Sequence, residues 1–128
     1  MKNSFLLFGI FLLSIALSSF SSNVELRDVE SSYEIPENIS AIMDKSCIMC
    51  HNAESKNSKA KLKLKLDELA DMKVSKQISK LSKIAKEVSK GDMPPSKFTS
   101  KYPEKALSDE EKETLISWAK NYSEELAK

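Results

Sequence analysis

The sequence predicts an all-α fold, and three observations lead to this prediction. The chain of 128 residues contains only two glycines. Apolar residues recur at helical spacing in three segments, near residues 35–47, 74–88 and 108–126. Apart from one short lysine-leucine stretch, no run of residues has the character of a β-strand. We therefore expect one small helical domain, because the chain is long enough for a single compact core but not for two.

The N-terminus has the layout of a secretory signal. Lys2 supplies a positive charge, the apolar run Phe5–Leu17 follows it, and a serine-rich stretch, Ser18–Ser22, comes next. The apolar run is short for a membrane span. We therefore predict a signal peptide over residues 1–21, with an uncleaved anchor as the alternative.

Residues 22–34 are polar and show no periodicity, so we expect a flexible linker there and a domain over residues 35–128. The first helix is expected to begin near Pro36, with Asn38 as the candidate cap, and to end at Cys47. Three apolar residues at helical spacing indicate this helix: Ile39, Ile42 and Met43.

Lysine and leucine alternate strictly from Lys61 to Leu66. Strict alternation is typical of a strand, although Leu62, Leu66 and Leu69 also share one face of a helix. We expect a short extended segment here, followed by a brief helix over Asp67–Met72.

Two longer helices are indicated in the second half of the chain. The first is expected to stop at Gly91 and has apolar residues at a period near 3.6: Val74, Ile78, Leu81, Ala85 and Val88. The second opens with a capping box, in which Glu111 reaches back to the backbone amide of Ser108. Its buried stripe is expected to contain Leu115, Ile116, Ala119, Tyr122 and Leu126, with Trp118 at the border.

A C-x-x-C-H motif, Cys47 to His51, follows the first predicted helix. This motif is typical of the covalent attachment of a c-type haem, in which two thiols add to the porphyrin vinyl groups and the histidine binds the iron. Other interpretations fit less well. A disulfide would close a very short loop, structural zinc needs four ligands, and a thioredoxin-type dithiol expects a βαβ context. We predict one covalently bound haem on Cys47, Cys50 and His51, with a redox dithiol as the alternative.

The haem iron has a sixth coordination position, for which methionine is the first candidate. Met93 lies in the segment Gly91–Pro95, whose two prolines lack N–H donors and restrict the backbone. A stiff irregular loop of this kind can present a thioether to the iron. The alternative is a core or surface methionine in a proline turn. Three further methionines are expected to be structural or out of reach: Met43, Met49 and Met72.

Taken together, these motifs resemble those of small exported monohaem cytochromes c of the haem-binding-domain type. The C-x-x-C-H motif, the Gly-Asp-Met-Pro-Pro loop and the Leu-Ser-Asp-Glu-Glu helix start carry the resemblance, which extends over about residues 35–122. It implies a cytochrome c-like helical domain wrapped around one haem. The implied thioether anchors are Cys47 and Cys50, and the implied axial ligands are His51 and Met93.

Two functions are compatible with such a site. In the first, His/Met ligation fills both axial positions and the protein carries electrons, without being an enzyme. In the second, the sixth position is weakly held or open, and the protein senses or binds a gas. A peroxidase would need a distal acid–base group, usually a histidine or a positioned carboxylate, and the only histidine of the chain is already used, which makes this role a poor fit.

The charge distribution bears on partners. The formal net charge is +1, so no nucleic-acid partner is predicted. Between Ser55 and Lys90, eleven lysines stand against four carboxylates. This is either a solvated face or a surface that attracts redox partner proteins with an acidic docking surface. Because c-type haem is attached outside the energy-converting membrane, we expect an exported protein, either periplasmic or anchored facing the periplasm. Membrane contact is expected only if the signal segment is retained.

Overall fold

The computed structural model describes residues 34–128, so the predicted signal peptide and nearly all of the predicted linker lie outside the described residues. Five α-helices follow one another: α1 (Glu37–Ser46), α2 (Ser58–Lys63), α3 (Val74–Ser89), α4 (Ser96–Lys101) and α5 (Asp109–Leu126). Two short 3-10 turns lie between them, Leu66–Glu68 and Pro103–Lys105. No strand occurs in this range, which confirms the prediction of an all-α fold. None of these helices is long and apolar enough to cross a membrane.

Helix α1 leads directly into the C-x-x-C-H motif. It begins after Pro36, whose φ of −54° is the value that the proline ring imposes. No side chain caps this end. The predicted cap at Asn38 is wrong, because Asn38 lies inside the first helical turn. The end of the helix at Ser46, immediately before Cys47, is as predicted.

The lysine-leucine stretch differs from the prediction. Its first half is helical, because the side chain of Asn57 accepts a hydrogen bond from the backbone N–H of Ala60 and caps α2. Only Leu64 and Lys65 are extended. The brief helix expected over Asp67–Met72 is reduced to the 3-10 turn. A local cap has therefore overridden the alternating pattern.

Helix α5 packs against both α3 and α1, and their facing sides form the core. Trp118 was expected at the border of the apolar stripe of α5, but it is only 8% exposed and belongs to the core. Ile116 and Leu126 are only partly buried. The buried apolar residues are Ile39, Ile42, Met43, Leu66, Leu69, Leu81, Ala85, Val88, Leu107, Leu115, Trp118, Ala119 and Tyr122.

A buried amide ties the segment before α3 to the core. Gln77, which is 2% exposed, donates from Nε2 to the carbonyl oxygens of Ala70 at 2.9 Å and Met72 at 2.7 Å. The hydroxyl of Tyr122 on α5 donates to Gln77 Oε1 at 3.2 Å. Because a buried amide is costly unless it is paired, this network fixes the position of residues 70–72 against α3 and α5.

Hydrogen bonds connect the C-terminal end of α1 to the N-terminal end of α5, close to the C-x-x-C-H motif. The predicted capping box forms, with the Glu111 N–H donating to Ser108 Oγ at 3.1 Å and the Ser108 N–H donating to Glu111 at 2.7 Å. Lys45, in the last turn of α1, donates to the same Glu111 carboxylate at 2.5 Å and to the carbonyl oxygen of Ala106 at 3.0 Å. These bonds hold the end of α1 that precedes Cys47 against the start of α5.

Candidate functional site

A cavity of about 740 Å³ opens between the C-terminal end of α1, helix α2, helix α3 and the loop before α4. Its volume falls within the roughly 300–1,000 Å³ that is usual for cofactor and ligand sites. The wall is largely apolar: Met43, Leu62, Leu64, Leu66, Ile84, Val88, Phe98, Leu107 and Leu115. Leu62 contributes although it is 82% exposed, so it lies at the mouth of the cavity.

All three chemically active residues of the C-x-x-C-H motif line this cavity. Cys47 ends α1, and its N–H donates to the Met43 carbonyl at 2.8 Å. The N–H groups of Cys50 and His51 both donate to the Cys47 carbonyl at 3.1 Å. This tight turn places two thiols and an imidazole on one wall. The two thiols are not joined in a disulfide.

The thiol of Cys47 is not poised for redox exchange. Burial, and secondly the neighbouring Cys50, raise the pKa of Cys47 to about 11. Reactive dithiols depend on a lowered pKa, because the thiolate is the nucleophile. The environment of Cys47 therefore disfavours the redox-dithiol interpretation that the motif alone left open.

The imidazole of His51 is oriented by backbone carbonyl groups. Its Nδ1 lies 3.2 Å from the carbonyl oxygen of Ala60 and 3.3 Å from that of Leu64. Since carbonyl oxygens only accept hydrogen bonds, Nδ1 carries the proton and Nε2 keeps its lone pair. The N–H of Leu66 in turn donates to the carbonyl of His51 at 2.9 Å. A histidine held in this way through one nitrogen is the usual arrangement of a metal-binding imidazole.

Met93 lines the same cavity from the loop that follows α3. Helix α3 ends in a Schellman motif: Gly91 has a φ of +74°, its N–H donates to Val88 at 3.0 Å, and the N–H of Asp92 donates to Glu87 at 3.0 Å. The N–H of Met93 also approaches the Glu87 carbonyl at 3.3 Å. The chain therefore turns sharply at Gly91, as predicted, and delivers Met93 to the cavity.

The other methionines occupy different places. Met43 is 4% exposed and forms part of the core as well as of the cavity wall. Met49 is 46% exposed and does not line the cavity. Met72 packs against the core, also away from the cavity. The structure thus brings together Cys47, Cys50, His51 and Met93, the four residues that the sequence singled out.

The sequence did not point to two further features of the wall. The hydroxyl of Ser46 is buried and has no hydrogen-bond partner among residues 34–128. Five lysines line the cavity against a single carboxylate, that of Glu87. The lysines are Lys63, Lys80, Lys83, Lys86 and Lys97. Four of them lie in the lysine-rich segment Ser55–Lys90 that was recognised in the sequence, and Lys97 lies beyond it. Only the packing of α2, α3 and α4 shows that these five line one cavity.

This set of groups fits a haem. Two adjacent thiols match the two vinyl groups, an imidazole nitrogen and a thioether sulfur match the two axial positions, and the apolar wall matches the porphyrin faces. The unpartnered hydroxyl of Ser46 and the lysines are suited to a polar and anionic edge. Among residues 34–128 there is no cluster of three or more histidine, cysteine, aspartate or glutamate side chains that would hold a bare metal ion.

Comparison with known proteins supports this assignment independently of the motif. The sequence model of the family described as the haem-binding domain matches residues 54–121, which is more than half of the chain. The matched segment starts after His51 and covers α2, α3, the Met93 loop, α4 and most of α5. No curated protein and no solved structure matches the chain. On this evidence the protein belongs to the haem-binding domain family.

Proposed function

We propose that this haem-binding protein is an electron carrier with a single c-type haem. In this proposal Cys47 and Cys50 form the thioether bonds, His51 is the proximal ligand and Met93 is the distal ligand. The observation that carries the proposal is that these four side chains, from two separate parts of the chain, line one largely apolar cavity.

The residues of the chain have separate tasks in this assignment. Each thiol adds across one vinyl double bond, so that sulfur bonds to one carbon, the proton goes to the other, and no oxidant is needed. The Ala60 and Leu64 carbonyls hold Nδ1 of His51 and leave Nε2 for the iron. The Met93 sulfur fills the sixth position and favours the ferrous state, which raises the reduction potential. The bound haem supplies a one-electron couple.

We further propose that the protein is not an enzyme. With both axial positions filled by side chains, no coordination site is left for a substrate. A histidine, the residue that most often serves as the acid–base group of peroxide chemistry, is not available on the proposed distal side, because the only histidine of the chain is assigned to the proximal side.

The proposed partners are redox proteins with an acidic docking surface, and the proposed location is the periplasm. The excess of lysines around the cavity supports a partner with an acidic surface, because a positive rim increases the rate of encounter with a negative surface. The signal-like N-terminus supports export, and it lies outside the described residues. Contact with the membrane is proposed only for a form that keeps this segment.

A visible spectrum of the purified protein tests the central proposal. We expect a Soret band, low-spin bands and a sulfur-to-iron charge-transfer band at the red end of the spectrum. The haem should stay with the polypeptide on a denaturing gel, because the thioether bonds are covalent. A protein without a Soret band, or one that loses its haem on denaturation, would contradict the c-type assignment. Absence of the charge-transfer band would contradict methionine ligation but not the c-type assignment.

A further inference from the structure

Among residues 34–128, no lysine of the cavity wall forms an ion pair. Lys80 and Lys83 lie one helical turn apart on α3, and both line the cavity. The ion pairs formed within residues 34–128 involve Lys45, Lys65 and Lys112, and none of these lines the cavity. Two neighbouring cations thus lie at a largely apolar cavity, and neither forms an ion pair within the part of the chain that the structure describes.

Lys80 shows the electrostatic cost of this arrangement. Its ammonium group donates to the carbonyl oxygen of Lys63 at the end of α2, which draws it to the cavity wall. Burial, and next the positive charges of Lys83 and Lys76, lower the pKa of Lys80. Like charges in a partly desolvated place repel each other, and a bound anion would relieve this repulsion.

We propose that Lys80 and Lys83 bind the two propionate carboxylates of the haem, so that helix α3 holds the anionic edge of the cofactor. The inference rests on a haem in the cavity and not on His/Met ligation. A porphyrin attached at Cys47 and Cys50 is fixed at its vinyl groups, and its carboxylates then need cations elsewhere on the same wall. Ammonium groups can supply them through charge-assisted hydrogen bonds.

The other charged groups of the cavity are compatible with this assignment. They are Lys63 on α2, Lys86 and Glu87 on α3, Lys97 on α4 and the imidazole of His51. Lys80 is half-buried, and the other four lysines of the cavity, Lys83 included, are exposed. Lys63, Lys86 and Lys97 remain available to give the mouth of the cavity its positive charge. Of the two positive charges that help to lower the pKa of Lys80, the larger contribution comes from Lys83, which lines the same cavity.

The test compares full-length holoproteins with and without the two positive charges. Lys80→Gln/Lys83→Gln removes the proposed pair, and Lys80→Arg/Lys83→Arg keeps its charge. Lys120→Gln/Lys128→Gln is the matched control, since both residues are exposed and neither lines the cavity. The midpoint reduction potential is measured against pH, where ionisation of the propionates appears as an inflection. The propionate bending bands in the resonance Raman spectrum give a second readout.

We expect the inflection of the Gln/Gln protein at Lys80 and Lys83 to move up by about one pH unit or more, because nearby cations lower the pKa of a carboxyl group by roughly 1–3 units. Its Raman bands should change as well, while the Arg/Arg protein and the control behave like the wild type. Equal inflections in the Gln/Gln protein and the control would overturn the inference. So would unchanged inflections combined with slower oxidation by anionic ferricyanide, which would assign the lysines to docking. If the wild type has no sulfur-to-iron band, His/Met ligation is refuted, but the comparison of the lysine variants still stands.

Discussion

At the scale of single residues, the site depends on how two side chains are held. His51 is oriented by carbonyl oxygens of α2 and of Leu64. Met93 is positioned by the backbone bonds that end α3. Both contacts are made to backbone atoms, so they do not depend on which side chains the contacting residues carry. The sequence could therefore suggest both ligands by residue type and spacing, but it could not show what orients them.

Met93 is the residue that separates an electron carrier from a gas-binding protein. In Met93→Ala we expect the covalent haem to remain while the sixth position opens, so that carbon monoxide binds the ferrous form readily. The reduction potential should fall, since the sulfur that favours ferrous iron is lost. Optical titration with carbon monoxide and redox potentiometry measure both effects.

Two other methionines provide the control for this experiment. Met72→Leu conserves volume in the core away from the cavity, and should leave the spectrum and the potential unchanged. Met43→Leu conserves volume at the cavity wall, and should keep the sixth position closed to carbon monoxide. If the wild type already binds carbon monoxide rapidly, or if Met93→Ala changes neither quantity, the carrier assignment is wrong and an open-site gas sensor becomes the better interpretation.

At the scale of elements, the longer helices were predictable and the short ones were not. Helices α1, α3 and α5 have apolar stripes several turns long, which can be recognised from spacing alone. Helix α2 has six residues, and it exists because Asn57 caps it over a stretch that alternates like a strand. Helix α4 also has six residues, contains no buried residue, and follows the two prolines. Gln77 lies on α3 among lysines and serines, and its burial became visible only with Tyr122 and the carbonyls of residues 70 and 72 in place.

The hydrogen bonds between the end of α1 and the start of α5 should make the free energy of unfolding depend on pH in the acid range. Hydrogen bonding from Lys45, and next from the Ser108 N–H, lowers the pKa of Glu111. A carboxyl group whose pKa is lower in the folded state stabilises the fold above its unfolded pKa, about 4.3 for glutamate, and this stabilisation is lost as the pH falls through the folded value. Glu111→Gln keeps a capping side chain but removes the charge. It should cost up to about 1 kcal/mol at pH 7 and nothing at a pH well below 4.

Urea denaturation at both pH values measures this difference. The matched control is Glu68→Gln, which breaks the exposed pair of Lys65 and Glu68 within one short segment and should have little effect at either pH. An equal loss of stability at both pH values would show that the charge of Glu111 does not matter, and that the substitution acts through packing alone.

At the scale of the whole molecule, the cavity and the hydrophobic core share side chains. Core residues Met43, Leu66, Val88, Leu107 and Leu115 all contribute to its wall. Without a bound group, these side chains lose packing partners on the cavity side, and a domain of about a hundred residues has only a small margin of stability to offset that loss. We infer that haem binding and folding are strongly coupled.

This coupling predicts that His51→Ala and the double variant Cys47→Ala/Cys50→Ala lose stable haem, and with it cooperative folding. Circular dichroism during thermal denaturation should show a broad transition without a defined midpoint, instead of the sharp one expected for the holoprotein. Met49→Leu is the control, because Met49 lies within the motif but is exposed and does not line the cavity. A haem-free variant that still melts cooperatively would show that the polypeptide organises itself without the cofactor.

The Schellman motif at the end of α3 has a consequence for the speed of electron exchange. The backbone N–H groups of Asp92 and Met93 both reach the carbonyl of Glu87, so the chain around Met93 is fastened to the last turn of a sixteen-residue helix. With Met93 as a ligand, as proposed, the backbone that carries its sulfur would be held by a helix end and not by a mobile loop. The surroundings of the iron would then rearrange little when its oxidation state changes. A small rearrangement of this kind lets an electron leave or arrive without waiting for the polypeptide to move.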